Sequence, residues 1–286
     1  MVYVNPRPRA EALPSFYPDA FFGARRNPRE VLLEQSESMQ QKWLLLRDLR
    51  PGRILDIGCQ KGEFLYFMQS RGWQGKGIEI SPLSPNLFGQ DIHYGSLAEA
   101  QLRPGSFDVV TLWAVLEHLL EPQRMLRDIL PLLAPHGRLI VLVTNIQSLP
   151  GRWMRHDDIP RHLLLFSPQT LRSMLERCGW LVQRVHCNHV LFGGWHRGLF
   201  TYLLKWLAGE SFADIVAQNR TPERWLEFTT HLRGKPSRLV EWVETWDKRL
   251  TPWFDTLMDR LGFGFTLIAT ATPRSPQRLI CHGRIR

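Results

Sequence analysis

The sequence has few cysteines and no long apolar run. Its cysteines, Cys59, Cys178, Cys187 and Cys281, are scattered. Their spacing indicates neither a disulfide framework nor a metal site, and suggests a reducing compartment. No apolar run reaches the roughly eighteen to twenty residues that cross a bilayer. The first residues also lack the apolar segment typical of signal peptides. We therefore expect a cytoplasmic protein.

Positive charge is the clearest bias in composition. The formal net charge is +9 over 286 residues, which permits attraction to anionic partners without identifying one. The basic residues are dispersed and no RNA-binding module is apparent, so a nucleic-acid partner is not expected.

Residue patterning divides the chain into four parts. These are an N-terminal arm and helix (1–50), a region of alternating strands and helices (51–190), a block of helical spacing (191–262), and a final strand with a basic tail (263–286). The alternation predicts a parallel sheet with helices on both faces. Pro28 predicts the start of a helix over 28–50. In the third part, Thr221-Pro222 and Thr251-Pro252 each predict a helix start, with an N-cap residue followed by proline.

The segment from Arg53 to Phe64 carries the most information. Ile54, Leu55 and Ile57 supply the apolar run of a strand that is covered on both faces. Gly58 and Gly62 permit a tight turn and a close approach of the backbone to a ligand. A helix that begins at Glu63 would direct its free N–H groups toward the same ligand. The segment therefore predicts a nucleotide-type binding site.

Two residues argue against a dinucleotide. Its fingerprint is G-x-G-x-x-G, whereas Gln60 stands between Gly58 and Gly62. Asp56 would repel a pyrophosphate and suits a cationic ligand or one with an ammonium group. Glu79 follows the turn by roughly twenty residues, the usual distance for an acid that binds two ribose hydroxyls. On its own, Glu79 would be interpreted as a solvated acid at the end of a strand. The glycine turn before it favours a role in binding ribose.

The pattern from Asp56 to Gly62 resembles the first motif, acid-x-Gly-x-Gly-x-Gly, of the class I S-adenosylmethionine-dependent methyltransferases. The resemblance to their small-molecule branch continues through residues 107–112, 115–119, 131–141, 160–163 and 166–171. In residues 131–141 it implies a helix end, a turn and the fifth strand. It implies an α/β, Rossmann-like sheet of seven strands, mostly parallel, whose last strand is antiparallel. A helical insertion would separate the sixth strand (181–190) from the seventh (265–272).

The resemblance also implies S-adenosylmethionine as cofactor. Its implied binding residues are Asp56, Gly58, Gly62, Glu79, Ile80, Ser96 and Leu97. Asp56 would orient the methionine part, Glu79 would bind the ribose and Ile80 would pack on the adenine. Ser96 stands where the family usually has an acid, and Gln60 replaces the middle glycine. These departures keep open a non-catalytic cofactor-binding or scaffolding protein. A nicotinamide-dependent oxidoreductase is a third hypothesis, which Asp56 and Gln60 disfavour.

For the reaction, the resemblance implies methyl transfer to a small-molecule, glycan or quinone-like acceptor, most simply on oxygen. His162 and His118 are the candidate bases, because a near-neutral histidine can take a hydroxyl proton. Either is alternatively a structural histidine. Arg161 would bind an anionic acceptor group, and Trp113 would line the acceptor pocket or the core. In ubiquinone-type O-methyltransferases a further acid before Leu-Glu-His helps to bind a metal. Ala114 stands there, so we predict no metal site.

The segment 195–207 is apolar and contains Trp195, Arg197 and Lys205. This composition fits an interfacial helix in peripheral contact with the inner face of a membrane. Packing against the core or in a homodimer is the interpretation we favour, because helical spacing of this kind usually serves packing.

Overall fold

The computed structural model describes residues 2–17, 27–148, 161–191, 207, 209, 231–232, 235–236 and 238–274. Several predictions lie outside these residues. They concern the loop 157–160, most of the segment 195–207, the helix start at Thr221-Pro222 and the basic tail from residue 275.

A seven-stranded sheet forms the centre of the fold. Its strands are β1 (Arg53–Ile57), β2 (Gln74–Glu79), β3 (Ile92–Tyr94), β4 (Phe107–Trp113), β5 (Leu133–Thr144), β6 (Trp180–Cys187) and β7 (Thr266–Pro273). They lie in the order β3-β2-β1-β4-β5-β7-β6. Strands β1 to β5 are parallel, and β7 is antiparallel to both of its neighbours. The predicted Rossmann-like sheet is confirmed. Its strand order reverses between β1 and β4, where open α/β sheets bind ligands.

The α-helices lie on both faces of the sheet. In the part of the chain that the structure describes they are α1 (Pro28–Leu44), α2 (Glu63–Gln69), α3 (Pro122–Ile129), α4 (Pro168–Arg177) and α5 (Arg238–Leu261). Short 3-10 helices span Ala10–Phe16, Leu116–His118 and Leu130–Leu132. Two-residue strands pair Val2–Tyr3 with Leu164–Leu165 and His231–Leu232 with Lys235–Pro236. Among the described residues, no helix combines the length and the apolar character needed to cross a bilayer.

The core has two halves because side chains alternate along each strand. Leu55 points to the face covered by α3 and α4, where Leu126 and Leu171 are fully buried. Ile54 points to the other face, where it belongs to the same cluster as Phe64 of α2 and Met39 of α1. Fully burying such a side chain contributes about 1.5–3 kcal/mol. The sheet is therefore held rigidly from both sides.

The predicted start of α1 is confirmed, whereas its predicted end is wrong. The side chain of Asn27 accepts a hydrogen bond from the Arg29 N–H at 2.9 Å, and Pro28 occupies the first turn. The helix ends at Leu44, several residues before position 50. Strand β6 likewise ends at Cys187, earlier than the predicted position 190.

The predicted turn before the fifth strand is also wrong. Strand β5 already begins at Leu133. Phe107 pairs with Leu133 while Val109 pairs with Arg138, so β5 has extra residues at this point. A bulge accommodates such residues without ending a strand.

Thr251-Pro252 does not start a helix, contrary to the prediction. Helix α5 runs from Arg238 to Leu261 with Pro252 inside it. An interior proline costs about 3 kcal/mol because its ring clashes and it lacks an N–H. Burial of Thr251, Asp255 and Met258 on one side of this helix explains why tertiary packing outweighs the local preference.

Candidate functional site

The turn after β1 has the geometry of a tight ligand-binding loop. Gly58 has a φ of 72°, and a Cβ there would lie 2.5 Å from Cγ2 of Val115. The N–H groups of Gly58 and Cys59 both donate to the carbonyl oxygen of Ile78, at 2.8 and 3.2 Å. The end of β2 thus holds the turn, and only glycine fits at position 58.

Gln60 adopts a backbone conformation that favours glycine. Its φ is 48°, in the left-handed region. Its N–H donates to Oε2 of Glu79 at 3.0 Å. The departure from the glycine pattern therefore leaves the course of the turn intact, at a backbone cost of about 1–2 kcal/mol.

Glu79 joins the turn to the end of β2. Its Oε1 accepts from the N–H of Ser81 at 2.9 Å, while Oε2 accepts from Gln60. Burial raises the pKa of Glu79, and these backbone donors oppose the rise. Each carboxylate oxygen has a second lone pair. The carboxylate can therefore hold the turn and still accept from ribose hydroxyls.

Asp56 lies at the base of the same turn and is buried. Its Oδ1 accepts from the Thr111 hydroxyl at 2.6 Å. Burial raises its pKa to about 7, while Lys42 and Thr111 oppose that rise. Burial in turn lowers the pKa of Lys42, against the opposing effects of Asp56 and Glu63. Buried groups of opposite charge, Lys42 of α1 and the acids Asp56 and Glu63, thus lie together beside the turn.

Lys42, Asp56 and Glu63 line a cleft of about 310 Å³. Its walls are Gln35, Glu37, Ser38, Lys42, Asp56, Gly58, Cys59, Gln60, Glu63, Phe64, Trp113, Val190 and Leu191. The structure thus brings together three residues that the sequence singled out separately, Asp56, Gly58 and Trp113. Sequence reasoning missed Lys42 and Glu63. No motif marks Lys42, whereas Glu63 is the first residue of the helix predicted from the glycine turn.

Trp113 has a mixed role. It is 7% exposed and belongs to the core, and its ring meets that of Phe64 edge-on at 5.3 Å. The ammonium nitrogen of Lys42 lies 5.0 Å from the centre of the Trp113 ring. Such a contact stabilises a partly desolvated cation. Trp113 therefore forms part of the wall that keeps Lys42 in the cleft.

The predicted adenine-side residues lie after β2 and β3, outside the walls of this cleft. Ile80 is 72% exposed, which leaves an apolar surface that a flat ring can cover. The N–H and hydroxyl of Ser96 both donate to Oε2 of Glu99 at 2.7 Å. Leu97 is partly buried against the core. Glu99 thus brings an acid to the loop where the family's acid is missing.

A second cluster follows β4. The ligand atoms of Glu117, His118 and His162 all lie within 4.8 Å of one another. Glu117 is buried and His162 is 8% exposed. The rings of His118 and His162 meet edge-on, with centres 4.6 Å apart. The structure therefore brings together the two histidines that were predicted separately.

Backbone and hydroxyl contacts orient His118. Its Nδ1 lies 3.1 Å from the Arg161 carbonyl oxygen and 2.9 Å from the Tyr17 hydroxyl. A carbonyl oxygen only accepts, so we assign the proton to Nδ1, which leaves the lone pair on Nε2. The N–H of Leu163 donates to the Glu117 carbonyl at 2.8 Å. The segment that carries Arg161 and His162 is thereby fixed beside the turn after β4.

The cluster and the cleft are close in space. Val115 touches the turn at Gly58, and Glu117 follows Val115 by two residues, which span at most about 7 Å. Glutamate and histidine can bind a divalent cation, and they can equally accept and pass a proton. The prediction that there is no metal site is not tested by this arrangement.

A family model described as a methyltransferase domain matches residues 32–185, more than half of the chain. The chain belongs to this methyltransferase family. The methyl donor of these enzymes is S-adenosylmethionine, as the resemblance implied. The residues of the methyltransferase that contact this donor remain predictions.

Three known proteins illustrate the similarity. The ubiquinone biosynthesis O-methyltransferase of Aeromonas salmonicida is 30% identical over 157 residues, 48% of this chain and 66% of that protein. The mitochondrial ubiquinone biosynthesis O-methyltransferase of Schizosaccharomyces pombe is 35% identical over 169 residues, 50% of this chain and 61% of that protein. Phosphoethanolamine N-methyltransferase 2 of Haemonchus contortus, solved with S-adenosyl-L-methionine, has a TM-score of 0.54 at 16% identity. That alignment covers 93% of this methyltransferase and 60% of the solved chain, and shows the fold alone. In each alignment the matched part spans less than two thirds of the length of the known protein.

Proposed function

We propose that this methyltransferase transfers a methyl group from S-adenosylmethionine to a hydroxyl oxygen of a small, quinone-like acceptor in the cytoplasm. The observation that carries this proposal is His162, buried against His118 and Glu117 beside the glycine turn. The acceptor class rests on the similarity to the two ubiquinone biosynthesis O-methyltransferases.

The residues of the cleft fit the cofactor. When bound, S-adenosylmethionine supplies an electrophilic methyl group on a sulfonium centre. Lys42 is the cation of the cleft wall and suits the carboxylate of the methionine part. Asp56 and Glu63 are acids of the same wall and suit its ammonium group.

The nucleoside part fits the ends of the neighbouring strands. The second lone pairs of Glu79 suit the ribose hydroxyls, and Ile80 presents exposed apolar surface to the adenine. Leu97 and Ser96, with Glu99 beside it, follow β3 and would border the adenine.

The second cluster fits the acceptor side. His162 would accept the hydroxyl proton while the new carbon–oxygen bond forms and the carbon–sulfur bond breaks. The carboxylate of Glu117 would stabilise the resulting imidazolium. His118 would position the segment of His162 through the Arg161 carbonyl. The Arg161 side chain would bind an anionic group of the acceptor, and Trp113 would border it.

Transfer of radiolabelled methyl to hydroxylated aromatic acceptors, including short-chain prenyl catechols, tests the reaction. His162→Ala should lower kcat at least about 100-fold, the lower range for a general base, while binding of S-adenosylhomocysteine is unchanged. The exposed His136 provides the matched control, His136→Ala. Activity that is lost with EDTA and restored by a divalent cation would show instead that the cluster acts through a metal.

Binding without turnover is the outcome expected of the non-catalytic alternative. S-adenosylhomocysteine and NAD can be compared by thermal shift, because only a bound ligand stabilises the folded state. Stabilisation by S-adenosylhomocysteine without transfer to any acceptor would favour a binding or scaffolding role. No stabilisation at millimolar concentration would contradict the proposed function.

A further inference from the structure

Helix α5 exposes three tryptophans on one face. Trp242, Trp246 and Trp253 are 61%, 41% and 73% exposed. With 3.6 residues per turn, these positions fall within roughly 40° of one another around the helix axis. Large aromatic side chains are uncommon on a free surface, so a tryptophan stripe indicates a function.

Arginines occupy the same face. Arg238, Arg249 and Arg260 are exposed and lie, with the tryptophans, within an arc of roughly 80°. The guanidinium of Arg249 lies 6.0 Å from the centre of the Trp246 ring. We call this set of three tryptophans and three arginines the Trp–Arg face.

The acidic positions of α5 all lie away from the Trp–Arg face. Positions 241, 244, 247, 255 and 259 fall at least roughly 60° outside its arc by the same periodicity. Asp255 is 3% exposed. Asp259 is directed to the protein, where its Oδ2 lies 2.8 Å from Nδ1 of His189. The face is therefore aromatic and positively charged.

The inner side of the helix is fixed to the core. Oδ2 of Asp259 also accepts from the N–H of His189 at 2.8 Å, and Met258 is buried. Two residues beyond His189, Leu191 lines the cofactor cleft. The Trp–Arg face thus points outward from a helix that is anchored beside the cleft.

We propose that the Trp–Arg face docks on an anionic lipid bilayer. Tryptophan rings favour the membrane interface, and arginine can place its apolar stem there while its head group meets anionic lipids. The formal charge of +9 favours the same surface. A symmetric second copy is disfavoured, because a two-fold contact would oppose arginine to arginine without an acid on the face. This proposal does not depend on the identity of the methyl acceptor.

Co-sedimentation with vesicles tests the proposal. The full chain should sediment with vesicles of phosphatidylcholine containing 30% phosphatidylglycerol, and much less with phosphatidylcholine alone. Changing Trp242, Trp246 and Trp253 together to alanine should weaken binding at least about tenfold, and Arg238, Arg249 and Arg260 together to glutamate by about 100-fold. The matched control reverses three exposed arginines elsewhere, Arg9, Arg29 and Arg103. It should retain most of the binding.

Stabilisation of each variant by S-adenosylhomocysteine reports that its core is folded. If the folded tryptophan variant binds vesicles as well as wild type, or if wild type does not bind anionic vesicles, the proposal is overturned. If the arginine variant and its control lose vesicle binding equally, binding comes from general charge attraction and not from the Trp–Arg face, which also overturns the proposal. Light scattering that shows a dimer in wild type and a monomer in the tryptophan variant would assign the face to a second copy instead.

Discussion

Asp56→Asn tests the electrostatics of the cleft. Burial raises the pKa of Asp56 from 3.8 to about 7. Between these two values the folded state holds a proton that the unfolded chain has released, so the free energy of unfolding falls as pH rises. This loss of stability is complete above about pH 7 and absent below about pH 4. Asparagine does not ionise and therefore avoids it.

The expected magnitude follows from the same pKa. Each pH unit in this window is worth about 1.4 kcal/mol. Between pH 5 and the pKa of about 7, the free energy of unfolding of wild type falls over two such pH units. The stability of Asp56→Asn relative to wild type should therefore be about 3 kcal/mol greater at pH 8 than at pH 5. The substitution also alters the hydrogen bond with Thr111, but this changes the stability of the variant by a similar amount at both pH values and largely cancels in the difference.

Urea unfolding of wild type and variant at the two pH values measures this difference. The control is Asp128→Asn on α3, where the carboxyl side chain is 53% exposed. It should show little difference between the two conditions. If both variants gave the same difference, the reasoning about the buried carboxyl would be refuted. Isothermal titration should also show that Asp56→Asn binds S-adenosylhomocysteine more weakly, because its ammonium partner is lost.

Three further substitutions address the turn and the buried groups beside it. Gln60→Gly should raise the free energy of unfolding by roughly 0.5–1 kcal/mol, because relief of a left-handed backbone exceeds the entropy cost of glycine; an unchanged or lower urea midpoint would contradict this. Lys42→Met should weaken S-adenosylhomocysteine binding about 10- to 100-fold by calorimetry, from loss of a charged hydrogen bond worth about 1.5–3 kcal/mol, whereas Lys42→Arg should retain more of it. Thr111→Val removes a donor that lowers the pKa of Asp56, so in a pH series of urea unfolding the fall in stability should begin at the same pH as in wild type and continue to a higher pH.

Some of the fold and site follows from local sequence. The apolar strand before Gly58, the glycine turn and Glu79 lie within a short stretch of chain. Their geometry depends mainly on local backbone conformation, such as the positive φ of Gly58. The seven-stranded sheet with an antiparallel last strand was implied by the resemblance of this stretch, and of the segments after it, to a known family. Pattern alone is therefore sufficient to predict the strand, the glycine turn and the helix that follows.

The rest depends on contacts between distant segments. Lys42 reaches the cleft only because α1 packs on the face of the sheet that also holds Phe64. His118 and His162 were separate candidates, and their ring contact arises because Leu163 hydrogen-bonds to Glu117. No local pattern contains these distances. Charge clusters assembled from several elements must be found in three dimensions.

The end of β4 links the glycine turn to the cluster of Glu117, His118 and His162. Ala114 has a φ of 54°, a left-handed conformation that costs about 1–2 kcal/mol in a residue other than glycine. Its N–H donates to the Leu142 carbonyl at 2.9 Å, which holds this bend against β5. The bend brings Val115 against Gly58 and starts the 3-10 turn that contains His118. Strained backbone persists only where its surroundings determine it, and often at functional sites. The proposed function requires the methyl donor and the acceptor to meet within bonding distance, and a rigid bend between the two proposed sites would provide that alignment.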